Sequence, residues 1–447
     1  MLAHPEIQAR VAAHGEVPRT TDWDPIDAAL YAPHPFLSEP KEAAAFRFSA
    51  IRKSFAYHVE HNAFYRRYCK TADVSPDDLR GPEDLFRIPL VPEHLFKGCP
   101  GPEQFVPWLA SISSDEIAWP ASKALGGSYD EQISALRREY GIQVRATSGS
   151  SGVPSFLPRD PLTRRRSAHW KILTYFAMYP EALALPDLLS VTLWPLDFSW
   201  ADLIVSRERV HALLDKKLGL ETVIRAMTTR EPQGILSRLL GRRAPKAAVA
   251  LLEDLVARLR ALSAVGAPGI LWAPPFLLYS LARFIHEGKH RLALGEHWRI
   301  HLGGGWKLLR ERPLSEPELR RLAGRALDIS PGQIYDIYGS TECLGLIGLS
   351  CEGGYKHIPH SVLQPLVLNE GMEPLGDGQW GRFAFLNPLI QAYPGFIVTG
   401  DRVRLLSRCP GCHRTGPVLD PQISRTRGAE DRGCANIVRQ ILAEELA

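Results

Sequence analysis

From residue 142 onward the sequence alternates short β-rich runs with longer amphipathic stretches, and no other feature narrows the fold as much. The runs are IQVRAT, LLSVTLWP, GILWAP, WRIHL, QIYDIYG and GRFAFL, and segments such as AAVALLEDLVARLRAL separate them. Strands that alternate with helices predict an α/β core, because such strands need helices to cover them. Ahead of that core, residues 41–72 carry helical spacing with few breakers, and PDDLRGPEDLFRIP reads as short capped turns. The expected organisation is a helical lead-in over 1–130, an α/β core over 131–408 and a Cys/Arg-rich segment over 409–447 that ends in the helix-like IVRQILAEELA. RLLGRRAPK, around 238–246, reads as an exposed loop.

Composition excludes several classes. A chain of 447 residues, 45% hydrophobic and 23% charged, is neither a disordered tail nor a small disulfide-stapled module. Its net charge of +4 gives little reason to expect nucleic acid or an anionic membrane as partner. Seven cysteines, an odd number scattered along the chain, suggest a reducing compartment and metal-binding or reactive thiols. The first residues lack the basic start and apolar stretch of a secretory signal, so the expected location is cytoplasmic. The uncharged run Ala261–Ala282 is long enough for a membrane span, but Pro268-Gly269 and Pro274-Pro275 break it into a buried strand, a turn and a helix start.

Three segments could carry chemistry. Thr147-Ser148-Gly149-Ser150-Ser151-Gly152 follows a candidate strand, and small hydroxyl and glycine residues there let backbone N–H groups close around phosphate oxygens. It is neither a Walker A loop nor a nucleophile elbow, and a plain surface turn has the same composition. Tyr338-Gly339-Ser340-Thr341-Glu342 ends the strand-like QIYDI; a glutamate there can hold Mg²⁺ on phosphates, or the segment is a capped turn. Thr399-Gly400-Asp401 follows GFIV, and its Asp, read as lying in a tight turn, could accept bonds from a ribose diol or merely form the turn.

In this order the three segments resemble the phosphate loop, the Tyr-Gly-x-Thr-Glu motif and the ribose-binding Asp motif of the adenylate-forming superfamily of acyl-CoA synthetases. HNAFYRRYCK, EDLFRIPLVPEHLFKG, Gly303-Gly304-Gly305-Trp306-Lys307 and YPGFIVTGDRVRLL are similar to the branch holding phenylacetate-CoA ligases and the acyl-protein synthetase of bacterial luminescence. The resemblance spans roughly residues 45 to 440. It implies a large adenylating α/β domain of the superfamily's N-terminal type that uses ATP and Mg²⁺ to activate a fatty or aryl carboxylic acid. By position it assigns Ser148, Gly149, Ser150, Ser151 and Gly152 to the phosphates, Glu342 to Mg²⁺, Asp401 to the ribose, and Gly303, Gly304, Gly305 and Tyr338 to the adenine. Gly339, Ser340 and Thr341 belong to the nucleotide site, and Lys307 to the carboxylate, the phosphate or the solvated surface.

The sequence departs from the family in two places. Val153 stands where the superfamily commonly has Lys, and only 46 residues follow Asp401, so the resemblance implies a truncated or vestigial mobile domain. The luminescence-type synthetase shares that shortening and transfers its acyl group to a cysteine of its own near the C-terminus. Cys434, beside Arg432 and near a possible helix start at ANIVRQIL, is the corresponding acyl acceptor, since a cation and amide dipoles would lower its pKa; a buried structural cysteine is the other reading. The acyl group would otherwise pass to a partner protein, a reductase or carrier. A homodimer is allowed.

The remaining cysteines suggest a metal. Cys409 and Cys412 have the spacing of a compact chelate, and Cys351 with His357 or His360 would complete a closed, structural tetrahedral site. The likeness to phenylacetate-CoA ligases favours His357 and Zn²⁺; free thiols are the alternative. Cys69, Cys99 and Cys343 are read as core or loop residues, although Cys343, directly after Glu342, could line the pocket. Two other functions are carried forward: a ligase that transfers to CoA, and a non-catalytic zinc-containing binding protein. The second is weakened for nucleic acid because no aromatic residue follows Asp401.

Overall fold

The structure is a computed structural model. It describes residues 4–32, 36, 40–97, 101–114, 119–120, 125–146, 155–185, 189–192, 201–204, 209–211, 244–288, 290–303 and 314–426. Among these the strands are, in chain order, β1 (Val91–Pro92), β2 (Gln143–Ala146), β3 (Phe156–Arg159), β4 (Leu189–Thr192), β5 (Arg209–His211), β6 (Gly269–Ala273), β7 (Trp298–Gly303) and β8 (Ile334–Tyr338). They continue with β9 (Gly348–Ser350), β10 (Lys356–His357), β11 (Gln364–Leu368), β12 (Trp380–Leu386), β13 (Phe396–Arg408), β14 (Thr415–Leu419) and β15 (Ser424–Arg425).

The run GILWA has no polar face, and β6 is accordingly buried at every position. Ile270 and Trp272 join one apolar cluster, while Leu271 and Ala273 join a second on the opposite face of the sheet. A strand covered on both sides belongs in a parallel sheet, and β5, β4, β6, β7 and β8 are parallel neighbours in that order. The helices Ala244–Ala264, Pro275–Glu287 and Glu316–Leu327 supply apolar residues to the second cluster; Pro40–His61, Ala63–Thr71 and Pro161–Met178 supply the first. The uncharged run 261–282 thus divides into the end of one helix, β6 and the start of another, as its prolines predict. No helix among the described residues is long and apolar enough to cross a membrane.

Past β8 the sheet turns antiparallel through β9, β10, β14, β13, β12 and β11. Two segments far apart in sequence meet on β13: β1, from the lead-in, pairs with Ile397 and Val398, and β15 pairs with Asp401 and Arg402. Residues 409–426 therefore extend the same sheet through β14 and β15. Two expectations are corrected here. Thr399-Gly400-Asp401 lies within the 13-residue β13 rather than in a tight turn: β15 pairs with Asp401, and β12 pairs with Val398 and Arg402 on either side, its register shifting across the tripeptide. Residues 244–246 of the expected loop RLLGRRAPK open a helix, since Ala-Pro at its start supplies a first-turn proline; residues 238–243 lie outside the described residues.

Candidate active site and metal centre

Ligands of open α/β sheets bind outside the carboxyl ends of the parallel strands. Here β7 delivers Gly303 and β8 delivers Tyr338 to that edge, side by side, with Gly303 opposite Ile337. The chain then turns through Gly339 and the 3₁₀ turn Thr341–Cys343, which Ser340 caps by accepting the Cys343 N–H at 3.1 Å. Gly339 is required because a Cβ there would overlap the carbonyl of Gly345. The turn places Glu342 in the interior, 6% exposed. Burial, then the charge of Glu93, pushes its pKa up, while Lys97 and the Ser155 hydroxyl at the start of β3 oppose the rise. A desolvated carboxylate of this kind favours a cation beside it.

The long reach of β13 brings Asp401 to the same edge. The Tyr338 hydroxyl donates to Asp401 Oδ2 at 2.6 Å, and Arg425 Nε lies 2.9 Å from Oδ1. Arg425 also reaches Glu93 Oε1 at 2.8 Å, and Lys97 Nζ meets that oxygen at 2.9 Å. Burial raises the pKa of Asp401 against the opposing charge of Arg425. Two of the three sequence motifs are thus joined directly by a side-chain hydrogen bond. Ser148, Gly149, Ser150, Ser151, Gly152, Val153, Gly304, Gly305, Lys307 and Cys434 lie outside the described residues. Cys343 is fully buried and accepts a hydrogen bond from Asn387 Nδ2 at 3.4 Å. Glu93, Lys97 and Arg425 escaped the sequence reading; the only local signal was the i, i+4 acid–base spacing of Glu93 and Lys97.

The metal reading gathers in the antiparallel part of the sheet, beyond β8, on β9, β10 and the β13–β14 hairpin. Cys351 follows β9, His357 lies on β10, Cys409 follows β13 and Cys412 sits in the turn to β14. Their four ligand atoms lie within 4.8 Å of one another. Cys351 Sγ and Cys409 Sγ are 3.8 Å apart, and Cys412 Sγ is 3.2 Å from His357 Nε2. Zinc–sulfur bonds of ~2.3 Å at the tetrahedral angle put neighbouring sulfurs ~3.8 Å apart, so the set fits a closed zinc site. His357 is pushed down to about 4, by burial and then by Arg414, which favours the neutral imidazole a metal needs. His360 packs instead against Gly416. The site would staple the β9–β10 hairpin to the β13–β14 hairpin.

Over residues 239–443 the chain matches the family model described as acyl-protein synthetase, LuxE. A long-chain-fatty-acid–luciferin-component ligase of Aliivibrio fischeri is 30% identical over 132 residues, covering 29% of this chain and 35% of that protein. The match thus spans about a third of that relative's length. An open conformation of 2-hydroxyisobutyryl-CoA ligase, with 2-HIB-AMP and CoA, superposes at a TM-score of 0.56 and 14% identity over 92% of this chain and 74% of that one. Its thioesterification state gives 0.54 and 16% over 92% and 73%. At such identity the likeness is one of fold. These matches do not favour the expectation of a non-catalytic zinc-containing binding protein.

Proposed function

We propose that this chain belongs to the luminescence-type acyl-protein synthetase branch of the adenylate-forming enzymes, a reading supported by the family model and the Aliivibrio relative, and that it uses ATP to activate a carboxylic acid as its acyl-adenylate and passes the acyl group to a thiol. The observation that carries this reading is the meeting of Glu342 and Asp401 at one sheet edge, through Tyr338, from motifs 59 residues apart. Asp401 would accept the ribose hydroxyls, exchanging its bond to Arg425 or Tyr338 for them. Glu342, with Ser155 beside it, would hold Mg²⁺, whose charge would neutralise the phosphate oxygens as they become anionic. The substrate carboxylate attacks the α-phosphorus, the bond to the β-phosphate oxygen breaks, and pyrophosphate leaves with that electron pair. An acyl-adenylate then reacts with a thiolate at its carbonyl, releasing AMP.

The Aliivibrio relative, named for long-chain fatty acids, makes a fatty acid the first acid to test. Cys434 would be the thiol, with a partner reductase or carrier as the onward acceptor, and transfer to CoA is the second reading. The Cys351–His357–Cys409–Cys412 quartet would hold structural Zn²⁺. The decisive experiment is acid-dependent exchange of labelled pyrophosphate into ATP across fatty and aryl acids. Exchange with one class is expected, and none with any acid would remove the proposal. Mass spectrometry of the intact chain after incubation with ATP and acid then tests the thiol: an adduct that survives Cys434→Ala would exclude that residue.

A further inference from the structure

Lys97 comes from the lead-in, yet the fold fastens it to the nucleotide edge from two sides. β1 pairs Val91 and Pro92 with Ile397 and Val398, so the 3₁₀ turn Glu93–Phe96 begins beside the strand residues that lead into Asp401. At the other end of that turn Phe96, fully buried, packs edge-on against Tyr393 with ring centroids 5.1 Å apart. The Tyr393 hydroxyl in turn donates to the carbonyl of Glu342 at 3.3 Å. Lys97, the residue after the turn, is thus tied on one side to the strand of Asp401 and on the other to the turn of Glu342. Its charge acts on both carboxylates, opposing the rise that burial causes in each.

Lys97 Nζ pairs with Glu93 Oε1 at 2.9 Å, and 18% of its side chain stays open. Arg425 Nη1 reaches the same oxygen at 2.8 Å, while its Nε holds Asp401. Pinning β15 to the sheet therefore takes Arg425 and does not call for a second cation. A carboxylate with two cations on one oxygen can release one and stay paired, so Lys97 can turn to another anion while Glu93 keeps Arg425. In a nucleotide whose ribose lies on Asp401 and whose outer phosphates lie on the Mg²⁺ of Glu342, the α-phosphate stands between the two, which is where Lys97 is tied.

We propose that Lys97 is a catalytic cation of the adenylation step, its Nζ donating to a non-bridging oxygen of the α-phosphate as the substrate carboxylate attacks phosphorus. This assignment rests on the adenylation reading. The bond to the β-phosphate oxygen breaks, pyrophosphate keeps the electron pair, and the ammonium meets the charge on the α-phosphate oxygens while keeping its proton and forming no covalent bond. The test is pyrophosphate exchange by the full chain with an acid that the wild type accepts, beside calorimetric titration with adenosine, which has no phosphate. Lys97→Met should lower kcat for exchange by about 10²-fold or more. The KM for ATP and the affinity for adenosine should each stay within about threefold, the pattern of a contact made in the transition state. Lys97→Arg, which keeps the charge, should recover to within about tenfold of the wild type. If Lys97→Met does not fold, Lys97→Gln takes its place with the same expected losses. A lysine that served to hold Glu93 in place would instead move the KM for ATP and the adenosine affinity. Exchange by Lys97→Met at the wild-type rate, or adenosine binding that falls as far as kcat, would overturn the role of Lys97 and leave adenylation standing. A wild type that exchanges with no acid would remove the adenylation reading and Lys97 with it.

Discussion

Replacing Cys409 with Ser should expose how much of the fold depends on the metal. Cys351 and Cys409 are 58 residues apart in sequence and 3.8 Å apart at sulfur. A cross-link closing a loop of that length removes roughly 4 kcal/mol of unfolded-chain entropy at room temperature in the loop-closure model. For 447 residues unfolding together, at ~2.1 cal/mol/K per residue, that loss lowers Tm by roughly 4–5 °C. Protein purified without added zinc should contain about one zinc per chain, and Cys409→Ser should contain little. A strong chelator should lower the melting temperature of the wild type and leave the variant's unchanged. Wild type that carries no zinc as purified, and whose melting temperature equals the variant's and does not respond to the chelator, would refute the reasoning, because the quartet would then be four unligated side chains.

Three other substitutions follow from the nucleotide edge. Glu342→Gln should cost on the order of 10²-fold in pyrophosphate exchange while stabilising the ligand-free chain at neutral pH. The sign follows from burial: a carboxyl whose folded pKa is raised holds its proton more tightly when folded, so it contributes stability below its unfolded pKa and loses that contribution as pH rises through the folded one. The wild type should therefore fall in Tm relative to the variant as pH rises from the acid range, and parallel curves would refute this. Tyr338→Phe removes a 2.6 Å bond to Asp401 and should raise the KM for ATP about tenfold with kcat little changed; a kcat-only effect would place Asp401 elsewhere in the reaction. Gly339→Ala forces a methyl against the Gly345 carbonyl and should destabilise the chain by about 1–3 kcal/mol, read in urea melts.

What the sequence disclosed and what it withheld divide along the range of the interactions. The β6 run was legible because both its faces are apolar, and Tyr338–Glu342 because it ends such a run. The chelate spacing of Cys409 and Cys412 is local, so it could be read directly. His357 over His360 is decided by β10 lying between β9 and β14, a pairing that no local pattern states. Thr399–Asp401 looked like a turn because its residues favour turns, but pairing of Val398 and Arg402 with residues 384 and 382, and of Asp401 with Arg425, keeps the tripeptide in the strand, where the local preference survives as a shift of register. The bond between Arg425 and Glu93 joins residues 332 apart, beyond any window in which spacing carries information.

The convergence of β1 and β15 on β13 also bears on how the protein is made. Val91 pairs with Ile397, so the edge that holds Asp401 cannot close until more than 300 further residues have left the ribosome. At ~5–20 residues per second that is a wait of roughly 15–60 s, during which the lead-in helices keep an apolar surface without its sheet. Such long-range pairing slows folding and favours capture by a chaperone. Yield from expression should therefore respond more to growth temperature and chaperone supply than to nucleotide or acid in the medium.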